Sequence, residues 1–291
     1  MNSFDINRFG KTFRWVLATN FRNFLAWTLG AAVGVFLMEI ILIAFNVHPD
    51  RGNYISELRY NISQICTIAL MIFVLVALST GFSDYSKKPQ REAFLMLPST
   101  NLEKFLSVVI YITVVWSLAG FLAFAVGDTL RMVVRALAYG NEWYSLVPRM
   151  LKNMFYAVSP EVPDNTAIVT TAYKVTWIFF FFSSLFWIHS LYILGGTLLR
   201  KYSFVVSSLV GILFVMLYVW VGRKFDLRGF YTEAVNDAKS ALVYYKVGAL
   251  GYGLCVLFPL FSIFNYWASF HIFKGFQLIT NKWTNYDILK R

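Results

Sequence analysis

The sequence predicts an all-α membrane protein with six transmembrane helices, preceded by an amphipathic helix lying in the membrane interface. Three observations carry this reading. Of 291 residues, 58% are hydrophobic and only 14% are charged, whereas soluble globular chains carry roughly 25% charged residues. So apolar a surface would be adhesive in water, and lipid is its natural solvent. Six stretches reach the about 20 mostly apolar residues that a helix needs to cross a bilayer core. Residues 5–22, by contrast, are patterned rather than uniformly apolar.

In that first element, Ile6, Phe9, Phe13, Val16, Leu17 and Phe21 fall in one sector of a helical wheel, with Arg8, Lys11 and Arg22 opposite. This is the pattern of a helix with its apolar side in the acyl boundary and its basic side toward anionic headgroups. It reads either as a topology anchor or as an elbow passing motion into the first span. Residues 1–22 lack the apolar core of a cleavable signal peptide, so the first span is expected to direct insertion. The spans are expected near 24–45, 61–82, 105–127, 175–198, 202–221 and 247–270. These runs are too long, and too poor in alternation, for barrel strands. Trp27, Tyr111, Trp177, Trp220 and Trp267 lie near span ends, where such rings favour the headgroup region.

Two connections are long. The one over 128–174 holds helix-like stretches at Leu130–Leu137 and Tyr144–Val158, broken at Gly140-Asn141 and ended by Pro160 and Pro163. The other, 222–246, is mixed and polar, and is expected to cap the outer mouth or lie on the membrane surface. Neither is large enough for a domain with its own core, so 1–291 reads as a single membrane domain.

The net charge of +11 is distributed between apolar stretches rather than along one stripe, which argues against nucleic-acid binding. Of the 26 Lys and Arg, 14 fall in 1–23, 83–104, 199–202 and 270–291. From that bias both termini are expected in the cytoplasm; the membrane is expected to be the cell membrane. Cys66 and Cys255 both lie in apolar segments and form no disulfide framework.

Polar residues inside spans are costly and therefore informative. Glu39 is the one acidic residue deep in a span; it reads as a polar contact on a transport path, or as a partner of Arg51 or Arg59. His189, near Ser183, Ser184 and Ser190, reads as a hydrogen-bonded packing residue or as a proton relay. With His48 and His271 in loop or edge positions, no metal site is expected. Gly30 and Gly34 form a G-x-x-x-G face for packing within the protomer or for a dimer contact. Gly248, Gly251 and Gly253 have the wrong order for a dinucleotide fingerprint, and no phosphate-binding loop occurs, so no cofactor is expected. Pro259 should kink the sixth span, with Ser262 able to bond freed backbone groups.

The most informative loop is 83–104, SDYSKKPQREAFLMLPSTNLEK. The apolar run Ala93–Leu97 within a polar loop is costly to expose, at about 25 cal/mol per Å², so it should pack on the chain's own helix ends or on a partner. Leu97-Pro98, followed by Glu103-Lys104 and a span, resembles a pattern of type-2 ATP-binding cassette exporter permeases. Six spans and an N-terminal elbow also resemble that family. The resemblance implies that Phe94, Leu95, Leu97, Pro98, Glu103 and Lys104 contact a separate ATPase subunit. It also implies a homodimer or a second permease subunit, with ATP hydrolysis left to the partner. The longest outer loop here follows the third span, whereas familiar members carry short re-entrant helices before the sixth, a role 222–246 would have to fill. A non-catalytic membrane scaffold or assembly protein is the alternative. An intramembrane enzyme is disfavoured, because no nucleophile–base pair or paired inward carboxylates stand out.

Overall fold

The computed structural model describes residues 4–45, 54–82, 85, 88–139, 143–158, 167–199, 201–237 and 240–275. His48, Arg51, Lys87, Gly140-Asn141, Pro160 and Pro163 lie outside the described residues. Among the described residues six helices are long and apolar enough to cross a bilayer, and the chain is a multi-pass α-helical membrane protein. It divides into two compact units, Met1–Gly81 with Pro89–Met154, and Phe82–Lys88 with Phe155–Arg291.

The first unit contains α1 (Ile6–Phe45), α2 (Tyr54–Thr80), α3 (Lys88–Leu95), α4 (Asn101–Ile110), α5 (Trp116–Tyr139) and most of α6 (Val147–Val158). Residues 6–22 are helical as the periodicity requires, but no break separates them from the first span. Nor does the third span stop at Gly127. From α4 a π-helical turn at Tyr111–Val115 leads directly into α5, so the helix-like stretch expected at Leu130–Leu137, within the connection, continues the third span's helix. The two apolar stretches Ile6–Ile43 and Asn101–Ala138 are 38 residues each. At 1.5 Å per residue they are about 57 Å long, nearly twice the about 30 Å of a hydrocarbon core.

These two long helices run parallel. Arg8 meets Glu103 and Arg131 meets Glu39 at sequence separations of 95 and 92 residues, with Phe24 against Trp116 between them. A stripe of α1 at roughly helical spacing (Thr12, Val16, Asn20, Ala32 and Glu39) is buried as a result. Close approach depends on Gly127, where a side chain would run into the Ala32 carbonyl and Val35. α2 packs antiparallel, with Phe73 on Trp116 and with Ile62 and Cys66 in a core with Phe124. Leu146 and Met150, at the start of α6, close that core.

The second unit contains β1 (Ala167–Val169), α7 (Thr171–Leu198), α8 (Ser203–Lys224), β2 (Phe230–Asp237), β3 (Ser240–Val247) and α9 (Ala249–Lys274). Again the first and third spans run parallel, His189 bonding Tyr266 and Asn265 bonding Ser190 at separations of 77 and 75 residues. α8 returns antiparallel, Trp187 lying on Phe214 and Tyr192 bonding Ser208. Gly195 leaves room for Ser207 at that crossing. The second long connection contains a β-hairpin. β3 pairs antiparallel with β2 and parallel with β1, in the order β1-β3-β2. Because β1 leads into α7 and β3 into α9, strand pairing starts the two helices side by side. Tyr173, Trp177 and Phe180 on α7 clasp Phe230 of β2. On the hairpin surface Lys246 bonds Glu233, holding that carboxyl below its ordinary value and the amine above its own. Both are solvent-exposed, and such pairs contribute little to stability.

Two other sequence expectations are refined here. Pro259 lies inside α9 as expected, but the Ser262 hydroxyl donates to the Phe258 carbonyl at 2.7 Å. It does not reach the Cys255 carbonyl, the acceptor that a proline at 259 frees. Gly30 and Gly34 are exposed, with open space where a side chain would stand, so they do not serve packing within the chain. Gly127→Ala is therefore expected to destabilise by about 1–3 kcal/mol through overpacking. Gly30→Ala and Gly34→Ala should be neutral or gain up to about 1 kcal/mol of helix propensity. Thermal unfolding of the three variants in detergent checks the contrast.

Candidate functional site

Two polar centres join α1 to the α4–α5 helix. The first lies where three helix ends meet. Thr100 precedes α4, and its hydroxyl accepts from the Glu103 amide at 3.2 Å while the Glu103 carboxylate accepts from the Thr100 amide at 2.8 Å. This is a reciprocal capping box, satisfying two amides that an isolated helix start leaves bare. The other oxygen of Glu103 reaches back to the start of α1. It accepts from the Asp5 amide at 2.8 Å and from Arg8 Nη2 at 2.9 Å. Asp5 itself caps α1, its carboxylate accepting from the amides of Asn7 and Arg8.

Lys104, the next residue, turns the other way and donates from Nζ to the Leu95 carbonyl at 2.8 Å. That carbonyl is at the C-terminus of α3, where a cation complements the helix dipole. Phe94 is buried, with its ring 5.9 Å from that of Trp15. One pair of adjacent charges thus ties the starts of α1 and α4 to the end of α3. Met96, 85% exposed, and Pro98 project beyond this knot, while Leu95 and Leu97 are half-buried.

That geometry corrects the set of docking residues expected from the sequence. Phe94, Glu103 and Lys104 are buried and committed to contacts within the chain, so Phe94 is the member of the apolar run that packs inward. The outward surface of this stretch is formed by Ala93, Met96 and Pro98 with the edges of Leu95 and Leu97. The capping box escaped sequence reading, although Thr100-Asn-Leu-Glu103 before an apolar run is its ordinary signature.

The second centre is formed by Glu39, Asp128 and Arg131, all essentially withdrawn from solvent. Arg131 Nε donates to Glu39 Oε2 at 2.7 Å and to Asp128 Oδ1 at 3.1 Å. Its Nη2 donates to Asp128 Oδ1 and, at 2.6 Å, to the Tyr144 carbonyl. Asp128 Oδ2 accepts from Ser145 Oγ at 2.6 Å and from the Leu146 amide at 2.9 Å, which fastens the start of α6. Cys66 Sγ lies 3.7 Å from Glu39 Oε1. The partner of Glu39 is thus Arg131, not Arg59, whose guanidinium lies 4.0 Å over the Tyr144 ring; Arg51 lies outside the described residues. An Asp-x-x-Arg pair in what reads as a loop was the available signal, because a carboxylate in a span demands a cation.

Beside this centre an apolar groove of about 200 Å³ opens among α1, α2 and α5, lined by Ala31, Gly34, Met38, Cys66, Gly120 and Phe124. In the second unit, His189 Nδ1 is 2.5 Å from the Tyr266 hydroxyl, so this histidine joins α7 to α9. The architecture defines a multi-pass membrane protein of three-span units, the first clamped by buried charge toward both ends of its parallel helices. Comparison with known protein families, with curated proteins and with solved structures finds no match.

Removing one carboxylate should loosen the first centre at three points. Glu103→Ala is expected to cost about 2–4 kcal/mol, since Arg8 and two amides lose a charged acceptor. Thr100→Ala should cost about 1 kcal/mol, the usual value of one cap. Unfolding followed by helical circular dichroism in detergent measures both.

Proposed function

We propose that this chain is the transmembrane subunit of an ATP-driven exporter, coupled through residues 88–104 to a separate ATP-binding cassette ATPase. The observation that carries the reading is the knot at Glu103-Lys104. A push on the exposed Met96–Pro98 tip meets no slack, because Phe94, Lys104 and Glu103 connect α3 to the starts of both parallel helices. Helices of about 57 Å then carry that displacement across the bilayer as nearly rigid rods. Relative to the sequence expectation, Phe94, Glu103 and Lys104 transmit the force, and Met96 with Pro98, flanked by Leu95 and Leu97, receives it.

In this reading residues 88–104 and both termini are cytoplasmic, in keeping with the basic bias, and the membrane is the cell membrane. The unpacked Gly30–Gly34 face of α1 is available to a second copy or a second permease subunit, because small residues let helix backbones approach closely in lipid.

The test is isolation of the tagged full-length chain from native membranes, followed by measurement of associated ATP hydrolysis. Met96→Asp should reduce the associated ATPase at least tenfold while leaving the melting temperature unchanged, and Met96→Leu should preserve it. An associated ATPase that persists in Met96→Asp removes the coupling assignment. No associated ATPase with the parent chain removes the exporter reading.

A further inference from the structure

The centre at Glu39, Asp128 and Arg131 holds an unequal number of charges. Two carboxylates face one guanidinium in a site with 0% exposure at both acids and 3% at the arginine. The groups around Glu39 are Asp128 and Arg131 from α5 and the Cys66 thiol from α2. The approach to α6 offers only uncharged partners, the Ser145 hydroxyl and the Tyr144 carbonyl, and both engage the Asp128–Arg131 pair. Among the described residues, one negative charge is left without a counterion. In a low-dielectric interior that is the costly state, and a proton or a cation relieves it.

The hydrogen bonds say where the relief falls. Asp128 accepts two donations at Oδ1 and two at Oδ2, so its lone pairs are occupied. Arg131 is satisfied by the same set and stays charged. Glu39 differs. Its Oε2 accepts from Arg131 and its Oε1 from the Cys66 thiol at 3.7 Å, a weak donor, and its carboxyl lies within hydrogen-bonding reach of the Asp128 carboxyl, a contact that needs a proton between the two acids. Among the described residues, Glu39 is the acid of this centre with the weaker set of donors, and so the one that takes the proton.

We propose that Glu39 is a proton-binding site: it carries one exchangeable proton while Asp128 and Arg131 remain ionised. With the proton on Oε1, Glu39 Oε2 still accepts from Arg131 and the centre is neutral. When the proton leaves, two anions compete for one guanidinium. Arg131 is shared between α1 and the Asp128 anchor of α6, so the competition is felt as a change in how α1 is held against α5. Protonation is in this way coupled to the packing of the two long helices. The inference is independent of the exporter reading.

Infrared difference spectroscopy of the purified full-length chain in lipid nanodiscs tests it directly. The wild type at neutral pH should show the carbonyl stretch of a protonated carboxylic acid, shifted by exchange into D2O and lost on raising the pH. Glu39→Gln, which keeps shape and neutrality, should fold normally and lack the band. Cys66→Ser, which places a hydroxyl beside Oε1, should keep the band and displace it. A neutral-pH spectrum without such a band, or a band that survives in Glu39→Gln, overturns the proposal. A band unmoved by Cys66→Ser also overturns it.

Discussion

The constraint on which the first half of the molecule depends is the parallel alignment of α1 with the α4–α5 helix. Two helices parallel in sequence and joined by a third must carry no turn of their own between them, and apolar side chains in lipid give little preference for one register over another. Buried charge supplies the missing specificity. Glu103 grips Arg8 and the Asp5 amide toward one end, and Arg131 grips Glu39 toward the other. Sliding either helix by one turn would strand carboxylates away from their donors, a change costing several kcal/mol each. The apolar contacts between, such as Phe24 on Trp116 and Gly127 against Ala32, fill a spacing that the polar contacts define.

The second unit reaches the same arrangement by other means. α7 and α9 carry no buried ion pair among the described residues. Their register is set before they begin, by the parallel pairing of β1 with β3, and is continued by aromatic packing. Phe180 and Trp187 both lie on Phe258, and neutral hydrogen bonds at His189 and Ser190 follow further along. Strand pairing is directional and satisfies backbone groups outside the hydrocarbon, where water competes. Charge pairing is directional too, but holds inside. The different solutions give one unit a centre that responds to protons and the other a rigid aromatic wall.

Two details show how a local rule was outweighed. Asp128 and Arg131 read as the polar end of a span, because charged residues seldom lie within lipid. They remain helical because each neutralises the other and Glu39 joins them, so the helix continues to Tyr139. Residues 222–246 read as a mixed, polar connection capping the outer mouth or lying on the membrane surface, with no secondary structure assigned. Phe230, Val235, Val243, Tyr244 and Tyr245 are instead strand formers, and β-structure won once α7 offered Phe230 an aromatic cleft.

Composition and hydropathy alone determined that the chain is helical and membrane-spanning with six long apolar segments, and that Glu39 and the 93–98 run require partners. These follow from transfer free energies, which depend on what a residue is and barely on its neighbours. Only the tertiary structure decided which partners they have. Pairing Glu39 with Arg131, Glu103 with Arg8, and Phe94 with Trp15 joins residues that are 79 or more positions apart. Directional contacts of that kind depend on which helices run side by side and in what register, and no local pattern in one chain encodes that choice.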